Sequence, residues 1–324
     1  MDALSDLLRA VKLNGAIFLE ARFTSPWCVA VDPSQGAAIM LRQYNPVVFF
    51  HLIAEGRCRM RLAEGGDPLD LSAGDLVLMP RGDAHLLGTD LQLAPVISDT
   101  LVQFSKVGGM PTIDYGGGGD EVRVLCGYMS CDKTLCRMLL DALPRLVRAS
   151  LGDGAGAAWL ASLVRRGALE NAAPSPGSGT LLSKLAELVF VEAMGRYIES
   201  LPEHQTGWLA GLRDRYVGRA LALMHGEPAR EWSADDLAER VGLSSSALRQ
   251  RFVDLLGQPP MQYLTRWRLT LAASTLRSSD RAVAQIAEEF GYESESAFNR
   301  AFKREFEMPP AAWRRQRTGS PHGA

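Results

Sequence analysis

The 324-residue sequence predicts an α+β chain: an N-terminal barrel or sandwich of short strands, a helical connector, and an all-helical C-terminal third. Three observations carry this reading. Apolar residues sit in short, partly alternating runs up to about residue 130 and recur every three to four residues after it. Turn clusters such as "EGGDP" and "LSAGD" cut the first part into strand-length pieces. The last third contains one helical unit written twice.

A chain of this length exceeds one comfortable hydrophobic core, so several domains are expected. A composition 47% hydrophobic and 22% charged is that of a globular protein and excludes disordered and fibrous classes. The opening "MDALSDLLRAVKLNG" breaks its leucines with acids and lacks a cleavage pattern, which argues against a secretion signal. No apolar run reaches the length of a membrane span. A cytoplasmic protein with no membrane partner is the expectation. Five cysteines are too few and odd in number for a disulfide framework and read as reduced thiols. The net charge of −2 hides an asymmetry: residues 1–204 hold 18 Lys+Arg against 23 Asp+Glu, residues 205–324 hold 17 against 14. A basic C-terminal third suits a polyanion partner.

In chain order, "WCVAV", "VVFFHLIA", "RCRMRLA" and "DLVLMP" read as strands. In "RCRMRL", Arg57, Arg59 and Arg61 alternate with Cys58, Met60 and Leu62, the mark of a half-buried strand. The glycine run "YGGGGDE" lacks the Gly-Lys-Ser/Thr ending of a phosphate cradle and reads as a mobile loop tip. After the strand-like "EVRVLCGYM", the segments "LCRMLLDALPRLVRA", "AAWLASLVRRGALE" and "LLSKLAELVFVEAMGRYIESL" have helical spacing, broken by "GDGAG" and "NAAPSPGSG". The domains expected are 1–130, a connector over 131–204 whose wide apolar stripe suits a dimer contact, an all-helical domain over 205–317, and a tail over 318–324.

The repeat carries the function. "LAERVGLSSSALRQRFVDLLGQPPMQYL" from Leu237 matches "IAEEFGYESESAFNRAFKREFEMPPAAW" from Ile286, at an offset of 49 before the turn and 50 after it. Each copy is a short helix, a glycine, a serine able to cap by accepting orphan N–H bonds (Ser244 or Ser245, and Ser294), and a longer helix, which makes a helix-turn-helix. Burying Leu248, Phe252 and Leu255, or Phe298, Phe302 and Phe306, leaves Ser245, Ser246, Arg249 and Gln250, and Glu295, Ser296, Asn299 and Arg300, facing outward. Arg, Asn and Gln are the side chains that pair with base edges in a major groove, so double-stranded DNA is the expected partner. The run "YLTRWRLTLAASTLRSSD" between the copies reads as one rigid amphipathic helix.

Residues 230–316 resemble the DNA-binding domain of the AraC/XylS family of bacterial transcription regulators, through the tandem unit, the spacer "RLTLAASTL" and the signature "IAEEFGYESESAFNRAFKREFEMPPAAWR". The resemblance implies a sequence-specific regulator, more usually an activator that contacts RNA polymerase. "GDLVLMPRGDAH" follows the cupin pattern of Gly, five residues, then Pro-x-Gly-x-x-His, so the N-terminal half resembles a cupin-like sensor barrel.

A barrel interior offers a ligand pocket, for which Trp27, His51, Cys58 and His85 are the candidates. Metal-binding cupins supply more histidines than His51 and His85, with Glu55 nearby, and Gly88 and Thr89 stand where cupins often continue towards an asparagine. No metal, cofactor or catalytic residue is therefore expected, and a cupin-fold enzyme or metal sensor fused to a DNA-binding domain is the alternative. Some members of this branch sense oxidants through thiols, for which Cys126, Cys131 and Cys136 are the candidates, Cys126 first. The effector is thus either a small molecule or an oxidant.

Overall fold

The computed structural model describes residues 3–11, 14–33, 46–104, 110–130, 136–151, 178–202 and 204–316. They form two compact units. One holds α1 (Ala3–Val11), α2 (Arg137–Asp141) and the helices from residue 208 onward; the other holds every described strand together with α3 (Ser178–Ser200).

The strands are β1 (Asn14–Thr24), β2 (Cys28–Val31), β3 (Pro46–Glu55), β4 (Arg57–Leu62), β5 (Leu69–Ser72), β6 (Asp75–Met79), β7 (His85–Gly88), β8 (Val96–Ile97), β9 (Thr112–Gly116), β10 (Glu121–Ser130) and β11 (Val147–Ser150). They make a six-stranded sheet in the order β11-β6-β3-β10-β1-β9 and a five-stranded sheet in the order β5-β4-β7-β2-β8. Both sheets feed one core, with Phe23, Ile53, Val77 and Val124 from the larger and Val29, Met60 and Leu87 from the smaller. The alternation of β4 is realised: Arg57 and Arg59 are exposed, Cys58 and Met60 buried. Along the larger sheet, antiparallel register sets Leu19 opposite Cys126, Cys126 opposite His51, and His51 opposite Val77.

Three expectations change. The segment "LCRMLLDALPRLVRA" is not one helix: α2 ends at Asp141, Pro144 blocks continuation, and Val147 to Ser150 alternate buried and exposed as β11 on the edge of β6. There Arg148 meets the buried Asp75 carboxylate at 2.9 Å. The described parts of the expected 131–204 connector do not form a body of their own. β11 completes the larger sheet and α3 packs on β1, whereas α1 and α2 belong to the helical unit. The glycine run is a fitted turn: the amides of Gly117 and Gly119 donate to the carbonyls of Thr24 and Ser25, and Gly118 donates to the Thr24 hydroxyl. The loop at 152–156, the helix expected over 157–170, most of the break at 171–179, Cys131 and the 318–324 tail lie outside the described residues. Among the described residues no helix is long and apolar enough to cross a membrane.

The helical unit continues with α4 (Trp208–Arg213), α5 (Val217–Gly226), α6 (Ala234–Val241), α7 (Ser245–Leu256), α8 (Pro260–Ser278), α9 (Val283–Glu289), α10 (Glu295–Phe306) and α11 (Pro310–Arg315). The spacer α8 is its axis, 19 residues and so about 28 Å long. It buries Tyr263, Leu264, Trp267, Ala272, Ala273 and Leu276. Both repeats are tied to it. Arg268 donates to the carbonyls of Pro228 and Arg230 ahead of the first copy, and Arg266 pairs with Glu305 while the Trp313 indole donates to Ala273 on the side of the second. Against this frame α1 packs on α5 and α8 with Leu7 fully buried.

Candidate functional site

The two turns have the same hydrogen bonds. After α6, Gly242 at φ 81° donates to Glu239 and Leu243 donates to Ala238; after α9, Gly291 at φ 78° donates to Glu288 and Tyr292 to Ala287. This is the Schellman stop, whose left-handed residue is cheapest as glycine. Ser244 and Ser294 then cap α7 and α10, each hydroxyl accepting the amide three residues on, from Ala247 and Ala297 at 3.2 Å. Of the two serines open as first-copy cap, Ser244 does it and Ser245 is the first residue of the helix.

The inner faces of the two helices bury Leu248 and Phe252, and Phe298 and Phe302, fully, with Leu255 and Phe306 half-buried. On the outer faces Ser246, Arg249, Gln250, Glu295, Ser296 and Arg300 are exposed, while Ser245 and Asn299 are partly covered. Gln250 donates to Asp254 one turn on, and Ser246 and Ser296 sit 3.2 Å from the cap hydroxyls. Neither Arg249 nor Arg300 has a hydrogen bond or ion pair among the described residues. Other arginines of the unit are held: Arg240 by Asp236, Arg251 by Asp214, Arg266 by Glu305 and Arg281 by Glu289.

The β-unit contains a cavity of about 460 Å³. Phe18, Phe23, Phe49, Phe50, Val124 and Leu182 are among its walls, the last from α3. Gly127 allows the Phe50 ring to cross β10, since a Cβ there would lie 2.0 Å from the ring. At one side of the cavity runs a chain of polar contacts: Cys126 Sγ to His51 Nδ1 at 3.0 Å, His51 Nε2 to His85 Nε2 at 2.8 Å, and His85 Nδ1 to the Asp83 carbonyl at 2.9 Å.

A carbonyl only accepts, so His85 Nδ1 carries its proton. Burial keeps both rings uncharged at neutral pH, His51 well below the usual histidine range with His85 adding to the effect, and His85 down at about 4. The neutral His85 therefore accepts at Nε2, His51 donates from its own Nε2, and His51 Nδ1 accepts the thiol proton of Cys126. Burial pushes that thiol up to about 12. Every polar atom of the chain is paired and none is charged.

Of the four effector-pocket candidates, His51 and His85 line this cavity. Trp27 stands behind it, stacked 3.9 Å from the lining Phe23, and Cys58 is buried in the core shared by the two sheets, its thiol also raised to about 12 by burial. Glu55 is drawn to Arg123 at 3.4 Å, and Thr89 accepts from the Trp27 amide. Sequence reasoning missed Cys126 as a cavity residue, although its place between Val124 and Tyr128 on an alternating strand was legible. Among the described residues no group of three or more His, Cys, Asp or Glu could hold a metal ion. Cys28, Cys58 and Cys126 are free and buried, whereas Cys136 is disulfide-bonded, which corrects the expectation that all the thiols are reduced.

A cupin family model matches residues 2–199, and a helix-turn-helix domain model matches residues 237–316. Over its whole length the chain is similar to a putative AraC-like transcription regulator of Streptomyces lividans, 33% identical over 98% of this chain and 99% of that one. A putative AraC-like transcription regulator of Streptomyces antibioticus is 32% identical over 97% and 99%. The HTH-type transcriptional regulator AlkR of Acinetobacter baylyi is 30% identical over 98% and 100%.

Proposed function

The chain belongs to the AraC-like transcription regulators, and from that premise we propose that α7 and α10 read the operator while a small molecule in the barrel cavity sets the response. The chain is a DNA-binding regulator with a cupin domain ahead of its helix-turn-helix domain. The observation that supports α7 and α10 as reading heads is that Arg249 and Arg300, one position apart in the register of the two copies, are exposed on the outer faces with no hydrogen-bond or ion-pair partner among the described residues, whereas Arg240, Arg251, Arg266 and Arg281 are ion-paired. A guanidinium left unpaired on such a face is available for a guanine edge or a phosphate.

Replacing either by alanine weakens operator binding by about 1–3 kcal/mol if the lost contact is bidentate to a base. A base contact costs affinity only at the operator; a phosphate contact costs it on any DNA and lowers the salt slope by about one. Fluorescence anisotropy on operator and scrambled duplexes separates the two. Unchanged affinity in both variants, with the fold intact by circular dichroism, removes this placement of the reading heads.

A small organic effector is favoured over thiol oxidation because the described free thiols are buried, and those of Cys58 and Cys126 have high pKa values. A homodimer through α3 is supported by Leu181, Leu188 and Val191, exposed at spacings of seven and three on one face of a helix whose other side is core. Sedimentation showing a monomer at micromolar concentration, with and without DNA, refutes it. Action in the cytoplasm, with activation through RNA polymerase, follows from what the family resemblance implies.

A further inference from the structure

The described wall of the cavity is mostly aromatic and aliphatic. Among the described residues that line it there is no Lys or Arg, and the two carboxylates there, Asp32 and Asp99, already have interactions within the protein. Its histidine–histidine–cysteine chain has its donors and acceptors matched to one another, so it neither demands nor rewards a polar ligand group. Among the described residues an anion entering here gives up its hydration with no cation to receive it, and an ammonium group meets carboxylates that are already engaged. What remains is the gain from covering aromatic and aliphatic surface.

We propose that the barrel cavity binds an uncharged, predominantly hydrocarbon molecule, selected by the apolar shape of the described wall and by the lack of a cation among its described residues. At about 30 Å³ for each water-sized group, 460 Å³ holds roughly 15 such groups, the size of a medium-chain alcohol or a fused-ring aromatic. The inference rests on the reading of this cavity as the effector site and specifies the chemistry of its occupant.

The test compares three molecules with the same tail and different heads, decanol, decanoate and decylammonium, by titration calorimetry on the full-length chain at neutral pH. Decanol is expected to bind at least tenfold more tightly than either ion. Val124→Phe, which places a ring in the cavity, is expected to abolish its binding. The melting temperature of the variant shows whether the barrel is filled or unfolded, and Ala16→Phe, at a less buried lining position, is the substitute if Val124→Phe does not fold. Equal or tighter binding of decanoate or decylammonium overturns the proposed ligand class and leaves the cavity as an effector site. Failure of all three to bind the folded protein, or decanol binding that survives both filled variants, overturns it as well. Decanol that binds as expected while operator affinity stays unchanged at saturation sinks the effector reading instead, and leaves the ligand class standing.

Discussion

Tyr263→Phe removes one oxygen from the helical unit and should cost it about 3 kcal/mol. The Tyr263 hydroxyl accepts from the Trp208 indole at 2.9 Å and lies 2.7 Å from His225 Nε2. Burial lowers the His225 pKa to about 3, so the ring is neutral at pH 7 and its Nε2 accepts from the tyrosine. All three residues are buried, with the His225 ring stacked on Trp267 at 3.9 Å. Phenylalanine keeps the packing of the ring and strands both partners, a donor on α4 and an acceptor on α5. Each stranded buried group costs about 1–3 kcal/mol, and some relaxation brings the pair to about 3.

That is a large share of the roughly 5–15 kcal/mol that holds a domain together. Urea unfolding followed by tryptophan fluorescence measures it, with the m-value expected to stay constant. A cycle with Trp208→Phe should show the two losses falling short of additive, because the second change removes a partner already stranded. A loss below about 0.5 kcal/mol, or strict additivity, refutes the account of this hydroxyl as a paired bridge between helices. Operator affinity measured far below the unfolding midpoint should hardly change, since the hydroxyl lies on the inner side of α8.

Acid should destabilise the native protein. His51, His85 and His225 have folded-state pKa values below the histidine reference of about 6.5, so the unfolded chain binds more protons and stability falls as pH drops from there through about 4, by up to about 1.4 kcal/mol per pH unit for each ring. Thermal melts across that range measure this, and a flat profile refutes it. Glu307 takes the left-handed conformation (φ 61°) that Gly257 takes at the equivalent place in the first copy, so Glu307→Gly should stabilise by about 0.5–1 kcal/mol; no gain in urea unfolding counts against strain there. Iodoacetamide on the native protein at neutral pH should leave Cys58 and Cys126 unmodified, because both are buried and raised to about 12, and labelling at the rate of an open thiol would reverse that.

Local patterns were enough to read much of this protein. The glycine stops and serine caps of the two helix-turn-helix copies depend on contacts within five residues, so spacing alone located Gly242, Gly291, Ser294 and the outward positions beside Arg249 and Arg300. Alternation located β4 because Arg57 and Arg59 cannot share a face with Met60. Local pattern failed where partners are distant. The run "LVRAS" has apolar spacing compatible with a helix, and only the open edge of β6, some seventy residues earlier, makes Val147 to Ser150 a strand.

Nothing in "MDALSDLL" tells that Leu7 is buried against the helical unit, since the surface that covers it lies more than two hundred residues away. The family pattern drew attention to His51 and His85, but only register through β10 and β3 brings Cys126 beside His51 and turns two isolated histidines into an uncharged chain beside an apolar cavity. The sequence by itself determined that this protein reads DNA, because caps, turns and exposed side chains along one helix follow from neighbours in the chain. Tertiary structure alone decided what surrounds the sensor cavity, because a wall gathered from several strands and a helix, and the protonation it imposes, exist only once those strands are paired.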